Sequence, residues 1–356
     1  MSNMESIGIG LIGVGGVAVR WHLPAWKKLA DDGLVRIVAL CDVDGERVSN
    51  AARQFGISNA VTDYNDLLAM DDVHAVDICT PNFLHKEHAL AAFAAGKHVI
   101  CEKPIALNGD EGSEMVKAAE RCQKKFQVAL NLRFASAPQA VKRFIDAGKL
   151  GNIYYARAHA LRRRGIPAHG FFTQKDKQGG GPLIDIGVHI LDLTLWFMGN
   201  PKPVAVSGAA YAKFGKRNDI IGLRGQWDPK LFSVEDFASA YIRFENGATV
   251  SLESSFAANL EKDVFQASLF GDEGGAYIEP FNPASTRIYR EECGALTDIS
   301  PVFLPATNAY ELELQSFVRA IANDLPVSVP GEQALTITRI IDAIYESSET
   351  GREVAL

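Results

Sequence analysis

No stretch of this sequence approaches the roughly 18 consecutive apolar residues that a membrane span requires. Its opening, MSNMESIGIGLIG, carries no basic flank, and glycines break its apolar run, so neither a secretion signal nor an anchor is expected. Cysteine is scarce. Cys41, Cys79, Cys101, Cys122 and Cys293 are odd in number and form no CxxC pair, and three of them lie in apolar strand-like runs. They read as reduced core residues of a cytoplasmic protein, which excludes a disulfide framework and gives no recognisable metal cluster. An excess of positive charge is also missing: 36 basic residues face 43 acidic ones, for a formal charge of -7. That balance leaves no electrostatic footprint for nucleic acid or anionic lipid. Repeats, low-complexity tracts and Pro/Ser linkers are absent. So are the nucleophile elbow GxSxG and the phosphate loop GxxxxGK followed by Ser or Thr, which sets aside two large classes of hydrolase.

What is present suits a soluble protein acting on small molecules. The chain has 356 residues, 47% apolar and 22% charged, enough for two domains with real cores. From residue 7 to about 149, short apolar runs (IGIGLIG, VRIVALCD, VHAVDICTP, KHVICEKP, FQVALNL) alternate with segments of helical period such as EHALAAFAAG. Continuous apolar runs are strands buried on both faces, and with helices between them they predict a doubly wound parallel sheet. Gly96 suits a left-handed helix cap, Asn108 and Glu111 have the spacing of a capping box, and a further helix is expected from Ser136 to about Gly148.

Beyond Gly151 the segments become strand-like, and DFASAYIRF and ATVSLESSF around Glu245-Asn246-Gly247 form the strongest hairpin signal. The expected second half is an α+β domain with a large, mostly antiparallel open-faced sheet, a long loop over 215–233, and closing helices over 310–322 and 332–347. The boundary is placed between 131 and 132: residues 1–131 form the Rossmann domain, and 132–356 bind substrate and self-associate, with the last helix returning to the first domain.

The first run leads directly into GVGGVA, residues 13–18, and then into a helix. Gly13 permits the tight turn, Gly15 lets backbone approach a pyrophosphate, and Ala18 is small enough for helix and strand to pack. Gly16 and Val17 complete the turn and join the candidate cofactor contacts. Asp42 ends the next run, where a carboxylate can bind the adenosine ribose hydroxyls and repel a 2′-phosphate. NAD is therefore expected ahead of NADP, with Arg47 read as a solvated surface residue. Thr80, Pro81 and Asn82, with His85 shortly after, stand at the carboxyl end of another run, where open α/β sheets bind ligands; a plain strand-to-helix turn explains them equally well.

Glu102-Lys103-Pro104 ends the next run, and a lysine there either faces the ligand or snorkels to solvent. The segment GGGPLIDIGVHILDLTLWFMG, residues 179–199, is apolar almost all round, yet Asp185, His189 and Asp192 fall at i, i+4 and i+7 on one helical face. Buried polar groups must be paired, so this stripe belongs either to a ligand site or to a satisfied structural network. Metal binding is a third reading, but no further ligand stands at a recognisable spacing.

GVGGVA, TPN (80–82), EKP (102–104) and the pattern GGG-x3-D-x-G-x-H (179–189) together closely resemble the Gfo/Idh/MocA family of glucose-fructose oxidoreductase and inositol dehydrogenase relatives, over nearly the whole chain. The resemblance implies Lys103, Asp185 and His189 as the catalytic set, with Gly13, Gly15, Gly16, Val17, Ala18, Asp42, Thr80, Pro81, Asn82, His85, Glu102 and Lys103 lining NAD and no metal required. It also implies a cis peptide at Pro104. The expected activity is hydride transfer between NAD(P) and a secondary alcohol of a sugar, inositol or sugar derivative. An NAD-dependent glycoside hydrolase and a non-catalytic dinucleotide- or sugar-sensing regulator are the alternatives. His22, Arg133, Arg157, His169 and Tyr310 are the candidate substrate contacts. The Arg162-Arg163-Arg164 run reads equally as a solvated strand end. A homodimer or homotetramer through the second sheet is expected.

Overall fold

The computed structural model describes residues 6–356. The chain divides into two compact units. The first comprises Met1–Asn131 with Asn308–Leu335, and the second Leu132–Thr307 with Thr336–Leu356.

In the first unit, β1 (Ile7–Ile12), β2 (Val35–Cys41), β3 (Asn59–Val61), β4 (Ala75–Ile78), β5 (His98–Glu102) and β6 (Phe126–Ala129) form one sheet in the order β3-β2-β1-β4-β5-β6. All five pairings are parallel. This is the doubly wound dinucleotide-binding order, in which the order of adding strands reverses between β1 and β4 while all strands stay parallel. The five apolar runs became β1, β2, β4, β5 and β6, and all four residues of β4 are buried. The helix Ala309–Ala322 belongs to this unit although it lies far along the chain: Leu314 and Phe317 are fully buried in the same core as Leu11, Leu40 and Ile100. Each such side chain contributes about 1.5–3 kcal/mol of burial. Gly96 has φ +74°, as a left-handed cap requires, and the Asn108 side chain accepts the Glu111 N–H.

The second unit is built on a nine-stranded sheet. Its strands are β7 (Ile153–Leu161), β8 (Pro203–Tyr211), β9 (Phe237–Phe244), β10 (Thr249–Ser255), β11 (Val264–Gly271), β12 (Gly275–Ile278), β13 (Arg287–Glu292), β14 (Ala295–Ile299) and β15 (Val354–Ala355). The order is β14-β13-β12-β11-β7-β10-β9-β8-β15, and only β7 and β10 run parallel. The β9–β10 hairpin turns through Gly247 at φ +83°. Period-two alternation sets the two faces: Ala156, Ala158 and Ala160 are buried, while Arg157 between them is exposed. The buried face is covered by a π-turn, Leu183–Gly187, that continues into the helix Val188–Phe197.

Candidate active site

The turn after β1 can be built only with glycine at its first position. Gly13 has φ +91°, and a Cβ there would lie 2.8 Å from the backbone of Cys79 and Thr80. Gly15 differs: no atom lies within 4 Å of where its Cβ would be. That vacant approach to backbone, at the start of the helical segment Ala18–His22 and Leu23–Asp31, fits the pyrophosphate of a dinucleotide. Ala18 is fully buried, as close packing of the segment demands.

Asp42, just past β2, is almost fully buried. Its Oδ2 accepts the Val14 N–H at 2.9 Å, and its Oδ1 accepts the Asp44 N–H and Arg47 Nη1, both at 3.0 Å. Arg47, read from sequence as merely solvated, is thus paired to the very carboxylate expected to choose the cofactor.

Thr80 is half-buried, Pro81 exposed and Asn82 buried. His85 is buried and sits between two backbone carbonyls, with Nδ1 2.8 Å from Pro104 O and Nε2 2.9 Å from Thr80 O. Both ring nitrogens are engaged by backbone, so the ring ties the turn after β4 to the turn after β5. The Lys103–Pro104 peptide is cis.

His22 was expected to reach substrate. It is instead fully buried, because the π-turn Ala18–His22 carries it under the sheet's carboxyl edge. There Nδ1 lies 2.7 Å from Asp77 Oδ2, and Nε2 lies 3.0 Å from Glu102 Oε1. Trp26 donates its indole N–H to the same Asp77 oxygen at 2.7 Å, and Cys79 donates to Asp77 Oδ1 at 3.4 Å. Burial alone would depress the His22 pKa, but the Asp77 carboxylate overcomes it and holds the imidazole well above its ordinary value. Ligand atoms of His22, Asp77 and Cys79 lie within 4.8 Å of one another, a grouping that could hold a cation. The mutual hydrogen bonds, the indole donor and a Cys79 thiol pushed up by burial make it a proton-sharing network instead. Tyr310 closes this cluster, tilted over the His22 ring at 5.5 Å and stacked on the exposed Trp21 at 5.3 Å.

In the second unit the three consecutive glycines are forced by packing. Gly179 has φ +88°, a Cβ at Gly180 would lie 1.9 Å from the Tyr345 hydroxyl, and one at Gly181 would lie 2.1 Å from the Glu235 carbonyl oxygen. The buried Glu235 carboxylate accepts the Gly181 N–H at 2.9 Å, the Leu183 N–H at 3.1 Å and the Tyr345 hydroxyl at 3.0 Å. It therefore takes up amide groups that the start of a helix leaves without intrahelical partners. Burial pushes Glu235 upward while these donors pull it back. Sequence reading missed Glu235, since nothing local marks a carboxylate that caps a helix more than 50 residues away.

Asp185 is buried, with Arg162 Nη1 3.8 Å from its Oδ2. Along the stretch from Leu183 to Leu195, His189 is the one residue that is not buried. Asp192 follows His189 by three residues on the helix Val188–Phe197 and is buried. It receives Arg133 through two hydrogen bonds, Nε to Oδ2 at 2.9 Å and Nη2 to Oδ1 at 2.5 Å, with both side chains buried. Arg133, expected on substrate, is committed to this pair. Arg157 is corrected likewise: it lies on the open face of the sheet, over Tyr155 and Phe270, opposite the helix that carries His189. His169 is exposed, edge-on to Phe172 at 5.5 Å.

A doubly wound nucleotide fold, a glycine cradle and a buried helix that leaves one histidine accessible define an oxidoreductase of the Rossmann type. The chain belongs to the Gfo/Idh/MocA oxidoreductase family: the family's NAD-binding Rossmann fold matches residues 7–130, and its C-terminal alpha/beta domain matches residues 142–356. D-glucoside 3-dehydrogenase of Escherichia coli (strain K12) is 34% identical over 349 residues, covering 98% of this chain and 97% of that protein. Levoglucosan dehydrogenase of Pseudarthrobacter phenanthrenivorans is 32% identical over 294 residues, covering 76% and 73%. A solved structure of levoglucosan dehydrogenase with NADH and levoglucosan superposes with a TM-score of 0.86 at 26% identity, covering 99% of each chain. Among the described residues, no helix is long and apolar enough to cross a membrane.

Proposed function

We propose that this protein is an NAD-dependent dehydrogenase that oxidises a ring hydroxyl of a glucoside or closely related sugar. End-to-end similarity to a glucoside 3-dehydrogenase carries the reading. The Lys103, Asp185 and His189 set supports it.

Bound in the Gly13 to Ala18 cradle, NAD+ supplies the hydride acceptor. His189, accessible on its helix, takes the hydroxyl proton as general base at a ring nitrogen. Lys103 donates a hydrogen bond to the same oxygen and stabilises its developing negative charge. Asp185 orients the sugar or the imidazole. The preference for NAD over NADP rests on the Asp42 carboxylate just past β2, which would repel a 2′-phosphate, a repulsion that Arg47 at 3.0 Å reduces. The purified protein should therefore reduce NAD faster than NADP with methyl D-glucosides, levoglucosan or D-glucose. Release of aryl alcohol from an aryl glucoside without NADH formation would overturn the dehydrogenase reading in favour of hydrolysis.

All five cysteines are free thiols, which supports a cytoplasmic location. The open sheet face exposes Tyr211, Tyr241 and Tyr289, and a second copy of the chain is the proposed occupant. Light scattering should give a dimeric or tetrameric mass; a 38.6 kDa particle at working concentration rejects self-association.

A further inference from the structure

We propose that His22 is a positioning residue for Lys103: it ties the Glu102 carboxylate to Asp77 and thereby fixes the strand end from which the lysine projects. This rests on the assignment of Lys103 as a catalytic residue. The chain of contacts is continuous. Glu102 Oε1 meets His22 Nε2 at 3.0 Å, and Glu102 Oε2 accepts the Lys103 backbone N–H at 2.9 Å, so the carboxylate is held in two directions. On the far side of the ring, Asp77 is itself held by Trp26 and Cys79. β4 and β5 are neighbours in the sheet, and His22 joins them through side chains just where their regular backbone pairing ends. His85 makes the corresponding tie one layer further out, between the Thr80 and Pro104 carbonyls.

The geometry also fixes the charge state this device needs. Both ring nitrogens face carboxylate oxygens, and carboxylates only accept, so both nitrogens donate and the ring is an imidazolium. Asp77 is fully buried and Glu102 nearly so; without the cation between them two carboxylates would share a dry site, a strongly unfavourable arrangement. The groups facing His22 are Asp77 and Cys79 from the β4 end, Glu102 from β5, Trp26 from the helix Leu23–Asp31 and Tyr310 from the helix Ala309–Ala322. The pKa raised chiefly by Asp77 agrees with this state. Metal sites use the same logic, in which outer partners orient the group that does the chemistry.

Three measurements on the full-length protein test the proposal. In the 15N spectrum of histidine-labelled protein, one of the eight imidazoles should remain doubly protonated at pH 8 and be missing from His22→Gln. A neutral His22 at that pH overturns the proposal. In turnover of a methyl D-glucoside with NAD, His22→Gln should lower kcat about 10-fold or more with KM and NAD affinity within about 3-fold, the split expected of a positioning defect. Finally, His22→Gln/Glu102→Gln should recover most of the lost kcat, as coupled residues do in a double-mutant cycle. Wild-type kcat in His22→Gln, or a double variant no better than the single one, overturns the proposal. If His22→Gln does not fold, Glu102→Gln serves alone: with one counter-charge gone, the alkaline limb of its kcat profile should move to lower pH, and an unmoved limb is the contrary result. Full turnover by Lys103→Ala would refute the catalytic assignment itself, whereas an inactive Lys103→Ala beside a wild-type-like His22→Gln would refute only the role of His22.

Discussion

Replacing His189 by alanine should lower kcat about 10²- to 10⁴-fold, the range that one general base contributes, while leaving the KM for sugar within a few-fold. The loss belongs to the chemical step because His189 is the accessible exception on a segment whose other members from Leu183 to Leu195 are all buried. For the same reason the change should leave the fold intact, since truncation at a partly exposed position opens no core cavity. Thermal unfolding and NAD binding should match the parent protein. The pH dependence gives the sign: oxidation by the parent rises with pH as the imidazole loses its proton, and the variant lacks that rise. Steady-state kinetics from pH 5.5 to 9 distinguish the outcomes, and an alanine variant with the parent's kcat and pH profile would remove His189 from the mechanism.

The features legible in the sequence were those with local causes. The runs that became β1, β2, β4, β5 and β6 are continuous because both faces of a parallel sheet are covered. Gly13 was readable because a turn after a strand demands a left-handed residue, and the β9–β10 hairpin because Asn246-Gly247 names its own turn. The β13–β14 hairpin escaped notice. Its strands are short, charged and at the sheet edge, and its turn uses Cys293 at φ +55° before Gly294 at +75°, a conformation that cysteine does not advertise. The substrate assignments fared differently according to what partners they needed. ARAHA already shows that Arg157 and His159 share one face of β7 and the alanines the other, but only the sheet reveals that the helix with His189 covers the alanine face. His22 and Arg133 look like ligand contacts in sequence because their partners are remote: Asp77 lies 55 residues from His22, and Asp192 lies 59 from Arg133. A polar residue's role depends on what satisfies it, and such partners are fixed by tertiary packing. Glu235, gathering amides from the glycine turn, is a third instance.

The Arg133–Asp192 pair anchors the helix carrying His189 to the segment after β6, and removing either partner should be severe. Breaking a buried ion pair from one side typically costs about 3–5 kcal/mol, because the survivor is left charged and desolvated. Arg133→Met and Asp192→Leu should therefore each lower the melting temperature by several degrees, and the two changes together should restore most of the loss, since an apolar pair of similar volume carries no desolvation cost. Acid should separate the two single variants. Burial pushes Asp192 up and Arg133 pulls it back, so deleting the arginine raises the folded-state pKa further. A carboxyl whose folded pKa exceeds its unfolded value binds more protons when folded, so Arg133→Met should regain stability as pH falls from 7 toward 5. Asp192→Leu instead strands a guanidinium that keeps its proton throughout that range, so acid should bring no recovery. Melting curves at three pH values for both single variants and the double variant decide the matter; parallel pH responses in the two single variants would mean that the pair does not carry its charges in the folded protein.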